Sequence, residues 1–202
     1  MKYKIDIKNF VPVNRTGSEN DALAFLTYDT DDKALDQFKI LRQKLININN
    51  WNKYSGKNPT EFFLHNDGEK PFYPKENDWV KIKIPGPGNK LGNGFDWVKI
   101  VKIQSMESDN FQAVLMVMKP HSCPENKDNG IAHFYTDAAT STFVLAQENN
   151  AVQFSVHGRD EIPNTKNLGL MNSLRNFFVA KGGIFGGSKI QWQHFAEEFI
   201  KN

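Results

Sequence analysis

From about residue 60 to about residue 160 the chain reads as short apolar runs divided by turn residues, at spacings that suit an antiparallel meander. The runs are Glu61–His65, Trp79–Ile84, Phe95–Ser105, Phe111–Met118, Ile131–Tyr135, Thr140–Gln147 and Ala151–His157. In Trp79–Ile84, Val80, Ile82 and Ile84 alternate with Lys81 and Lys83, as a strand with one wet face requires. Phe111–Met118 is apolar almost without interruption, which predicts a strand covered on both faces.

Helical spacing flanks this block. Ala34, Leu35, Phe38, Leu41, Leu45 and Ile48 recur at three- and four-residue steps behind an Asp/Thr cluster that can cap a helix over about 31–48. Leu168, Met171, Leu174, Phe177 and Phe178 predict a second helix over about 165–181, capped by Asn164 or Thr165. Ser188 and Gln191 form a capping box before Trp192, Phe195 and Phe199, so a third helix is expected over about 188–201. At the N-terminus, Tyr3–Phe10 alternates apolar with polar and predicts a strand; Ala22–Tyr28 is a second strand or the lead into a helix.

Strand, helix, many antiparallel strands and terminal helices imply an α+β fold: a strongly curved antiparallel sheet or partial β-barrel of about seven to nine strands, with one N-terminal and two C-terminal helices. The 202 residues fit one domain spanning 1–202. A 39% apolar and 24% charged composition excludes disorder, and 12% aromatics supply a core without disulfide staples, which the single Cys123 cannot provide. The N-terminus alternates charge with apolar residues and carries no signal-peptide pattern, so a cytoplasmic location is expected. No run of about 18 apolar residues predicts a membrane span.

Charge speaks against a nucleic-acid partner. Residues 1–60 carry ten Lys/Arg against seven Asp/Glu, residues 61–120 balance to zero, and residues 121–202 to −1. Taken strand by strand, Trp79, Lys81 and Lys83 share a face, but Trp97 and Lys99 share theirs with Val101 and Ile103, which interrupts a basic platform. The glycine-rich stretch 85–94 fits a hairpin connection better than a phosphate loop, because no Gly-Lys-Ser/Thr follows and its flanks read as strands. His121, Cys123, Glu125 and Asp128 offer too few well-spaced ligands for zinc, so neither a metal nor another cofactor is expected.

The densest group of functional side chains is His157, Arg159, Asp160 and Glu161, where a strand ends. A His, an Arg and two carboxylates around Gly158 suit an anionic ligand or acid–base chemistry. If Asn149–Asn150 is a two-residue turn, Thr142 opposes His157; a three-residue turn brings Ser141 there instead. Asp137 or Asp160 then completes the outline of a Ser–His–Asp triad, without a nucleophile elbow. His133 and Asp137 join this group as candidate ligand-binding residues. The leading expectation is non-enzymatic binding of a small hydrophobic or anionic ligand, or of a partner segment, in a pocket between sheet and helices. The alternatives are a hydrolytic enzyme using His157 and its carboxylates, and a homodimer formed through the C-terminal helix.

Overall fold

The computed structural model describes residues 3–56, 60–65, 73–85, 88–127, 130–165 and 187–201. In chain order they form β1 (Ser18–Thr27), α1 (Asp31–Ile46), β2 (Glu61–His65), β3 (Trp79–Lys83), β4 (Asp96–Ser108), β5 (Phe111–Pro120), β6 (Thr140–Glu148), β7 (Ala151–Glu161) and α2 (Gly187–Ile200). The strands make one antiparallel sheet in the order β1-β7-β6-β5-β4-β3-β2. The architecture is therefore α+β. The sheet is open, with β1 and β2 as its edges, rather than closed into a barrel. The expected helix over 165–181 lies, from residue 166 on, outside the described residues. No helix among the described residues is long and apolar enough to cross a membrane.

Local chemistry explains the elements. Thr30 caps α1 by accepting from the Lys33 amide, and Asp31 and Asp32 complement the dipole in the first turn. Ala34, Phe38, Leu41 and Leu45 form its buried stripe, and a 3-10 turn over Ile48–Tyr54 carries the fully buried Trp51. Asn149 takes the left-handed φ that a tight β6–β7 turn demands. That turn fixes the register, and Thr142 stands opposite His157.

On one side of the sheet, α1, the 3-10 turn and α2 bury a large aromatic core. Trp51 meets Phe143 at 4.8 Å between ring centroids, and Phe154 stacks on Phe199 at 4.0 Å. These rings occupy the interface where the sequence predicts a pocket. Phe195 and Phe199 are buried in this core with Trp192 packed against it, so the aromatic stripe on α2 faces the core of its own chain.

On the other side, the N-terminal segment lies over β5–β7. Ile5 and Ile7 pack on Ala113, Leu115, Val117, Val144, Ala146 and Ala151, so β5 is covered on both faces. The segment is not the expected strand. Its period-2 burial is real, but the Gln153 side chain takes the place of a neighbouring strand: Oε1 accepts from the amides of Lys4 and Ile5, and Nε2 donates to the Ile5 carbonyl. Ile131–Tyr135 departs from expectation for the same reason. Its described pairing consists of the isolated bridges Ser122–Ile131 and Tyr135–Pro163 and backbone hydrogen bonds of Ala132 to His121 and Trp97, while Asn164 Nδ2 donates to the carbonyls of Ile131 and His133. Side-chain amides also reach both sheet edges. Gln193 of α2 accepts from and donates to the backbone of Leu23 in β1, and Asn49 accepts from the Leu64 amide in β2.

Candidate functional site

β7 presents Gln153, Ser155, His157 and Arg159 on the face beneath the N-terminal segment, while Phe154 and Val156 enter the aromatic core. Antiparallel pairing sets Asp21 of β1 directly opposite His157. The Asp21 carboxylate only accepts, so His157 Nδ1 carries a proton and donates to Oδ1 at 2.6 Å. Nε2 lies 2.9 Å from the Ser155 Oγ, and that hydroxyl donates to the Val144 carbonyl at 3.5 Å. The three groups have the connectivity of a Ser–His–Asp relay. However, Ser155 and His157 are both 0% exposed, which removes the nucleophile from any substrate.

Arg159 is spent on the chain itself. Nε donates to the Pro12 carbonyl, Nη1 to the carbonyls of Asn20 and Gly158, and Nη2 reaches Asp21 Oδ1 at 2.8 Å. Burial pushes the Asp21 carboxyl up, but hydrogen bonds from His157 and Arg159, together with the electrostatic pull of both side chains, more than offset it and hold it at about 2. The cluster is a clamp that ties β1 and the N-terminal segment to β7.

The other expected site residues disperse. Asp160 adopts a left-handed φ of 53° and its carboxylate accepts from the amides of Arg15 and Thr16, bonds that hold it below the usual carboxylate range. A bulge in the β1–β7 pairing, where Ser18 and Asn20 stand opposite Glu161 and Gly158, turns Glu161 onto the face of Gly158, where Asn20 and Tyr135 donate to it and burial raises its carboxyl. His133 is buried and held neutral, its carrier burial lowering it to about 3, and its Nδ1 accepts from the Tyr135 amide. Asp137 stands exposed in a turn. Thr142 opposes His157 but leaves its own hydroxyl without a partner; Ser155, two residues along the same strand, makes that bond instead. Period-2 alternation along β7 marks Ser155 in the sequence, whereas Asp21 emerges only from the β1–β7 pairing. Cys123 is buried with Trp97 and Ala132, and no three His, Cys, Asp or Glu among the described residues lie close enough to share a metal ion.

The open chemistry lies elsewhere, on the outer face of β2–β5, away from the helices. Direct cross-strand partners share a face. One row runs Phe63–Lys81–Trp97, and a second runs His65–Trp79–Lys99–Lys119. Lys83, opposite Glu61, extends over the Phe95 ring at 5.4 Å. Lys99 sits 4.8 Å above Trp79, and Lys81 lies 5.9 Å from Phe63 and 5.3 Å from Phe95. Phe63 is 36% exposed; Trp79, Phe95 and the four lysines are half-buried. Trp97 is sealed beneath a turn at 90–92, where it donates to the Gly92 carbonyl and where a Cβ on Gly92 would stand 2.8 Å from its ring.

No protein-family model matches the chain, and no curated protein sequence matches it. In structure it is similar to the hypothetical protein jhp0584 of Helicobacter pylori, known from a crystal structure at 1.88 Å. The two are 12% identical, the match covers 99% of this chain and 95% of the other, and the TM-score is 0.51. At that identity the likeness concerns the fold alone.

Proposed function

We propose that this chain is a non-enzymatic binding protein whose ligand is anionic and docks on the outer face of β2–β5. The observation that carries the reading is the direct opposition of Lys99 and Lys119 across β4–β5. Like charges in that position destabilise a sheet, and they become favourable when a shared anion lies between them. Among the described residues no ion pair engages Lys81, Lys83, Lys99 or Lys119. Against the four lysines stand Glu61 within the rows, Glu125 at their rim 3.8 Å from His65, and Asp160, whose carboxylate feels the charge of Lys119. A hydrolytic reading has the Asp21–His157–Ser155 relay in its favour and the complete burial of Ser155 against it.

Retention on heparin–agarose tests the proposal. The wild-type protein is expected to elute at a salt concentration well above that of a Lys81→Ala/Lys99→Ala/Lys119→Ala variant, which loses three phosphate- or sulfate-pairing charges. Equal elution of the two folded proteins would contradict it.

A further inference from the structure

We propose, building on the anion-binding reading, that the occupant of this face is single-stranded nucleic acid. A backbone phosphate calls for a cation, and an unpaired base calls for a flat ring. The face supplies them side by side: Lys81 beside both Phe63 and Phe95, Lys83 over Phe95, and Lys99 over Trp79. An acidic peptide would use the lysines and leave the rings idle. A duplex keeps its bases stacked on one another, away from the rings. A lipid surface calls for protruding apolar tips, whereas Trp79 and Phe95 lie half-buried within the sheet face.

The charge balance of residues 61–120 does not oppose this, because the sheet sorts what the sequence mixes. Asp96 is buried, Glu76 accepts from the Ile103 amide, and Glu107 and Asp109 stand by the β4–β5 turn, while Lys81, Lys83, Lys99 and Lys119 gather on one face with Glu61 among them. Nor does the interruption of β4 by apolar residues matter. In the sheet Lys99 has Trp79 on one side and Lys119 on the other, and a bulge between Ile100 and Lys102 leaves Val101 at the margin. The platform is built across strands, not along one.

Fluorescence anisotropy of labelled oligo(dT) tests the inference, with polyglutamate and duplex DNA as competitors. Binding is expected to be sequence-tolerant, with log K falling against log salt at a slope of about −3 for four neutralised phosphates. Lys81→Ala/Lys99→Ala should weaken it by roughly tenfold or more, and Phe63→Ala by about fivefold or more through lost stacking. Polyglutamate and duplex should compete poorly. If Phe63→Ala melts early, quenching of tryptophan fluorescence by oligo(dT) but not by polyglutamate reads the same stacking in the unmodified protein. Equal competition by polyglutamate, with no ring dependence and no selective quenching, would overturn the nucleic-acid inference and leave the anion-binding proposal standing. Binding of neither oligo(dT) nor heparin would remove both.

Discussion

Gln153 does for the N-terminal segment what a neighbouring strand does elsewhere, and it is 1% exposed while doing so. Gln153→Leu keeps the volume but strands two amides and a carbonyl, so it should cost about 2–4 kcal/mol and collapse the exchange protection of the Ile5 amide. Urea denaturation and amide exchange check this; unchanged protection at Ile5 would refute it. A glutamine of this kind is silent in a sequence: alternation in Tyr3–Phe10 reveals which side chains are buried but not what satisfies the backbone between them. Buried Asp96 and His133 shape the pH response in opposite senses, with Glu161, also raised by burial, acting on the Asp96 side. Burial raises the Asp96 carboxyl to about 7 against a partly compensating hydrogen bond from Asn89, so the folded chain holds a proton that the unfolded chain releases near pH 4. Stability therefore falls as pH rises through that window and levels above it. His133, lowered to about 3, works in the opposite sense: below about pH 6.5 the unfolded chain takes a proton that the folded chain refuses, and stability is lost as pH falls. In the wild type the two slopes oppose each other between about pH 4 and 6.5. Asp96→Asn should unmask the rise and leave the protein more stable by about 2–4 kcal/mol at pH 8. Parallel stability–pH curves for variant and wild type would contradict this.

At the scale of elements, the strands were legible where packing alone sets the pattern. β2 matches its sequence-read bounds, and β3 to β7 follow theirs to within a few residues, because alternation and turn residues mark half-buried antiparallel strands directly. β1 was ambiguous because its apolar residues Ala22–Leu26 include exposed Phe25 and Leu26 at a sheet edge, where one-sided burial is incomplete. That edge is held by α2. Gln193 engages both backbone groups of Leu23 while Phe195, Phe199 and Ile200 fill the core. Truncation after residue 186 should therefore abolish cooperative unfolding and promote aggregation through the exposed β1 edge. Phe199→Ala alone should cost about 3–5 kcal/mol. A cooperative thermal transition at the wild-type temperature in the truncated chain would show that α2 is dispensable.

Across the whole molecule, the two halves of the outer sheet face divide the work. Over β5–β7 the N-terminal segment seals a polar clamp built from Asp21, Ser155, His157 and Arg159. Over β2–β5 the four lysines, Trp79 and Phe95 stay half-buried and Phe63 is exposed. Sequence reasoning singled out His157 and Arg159 because they crowd together along the chain. Taken strand by strand, the lysine–aromatic face looks interrupted and is set aside, because Phe63, Trp79, Lys99 and Lys119 meet only once the register of three hairpins is fixed, and the loops joining them do not set that register in a way that can be read from composition. Nitrogen–proton correlation spectra of labelled protein titrated with heparin compare the two halves most directly. The account predicts shifts concentrated on the amides and indole of Phe63, Trp79, Lys81, Lys99 and Lys119, with Ser155 and His157 unmoved. Shifts centred on β7 and the N-terminal segment, with β2–β5 silent, would contradict it.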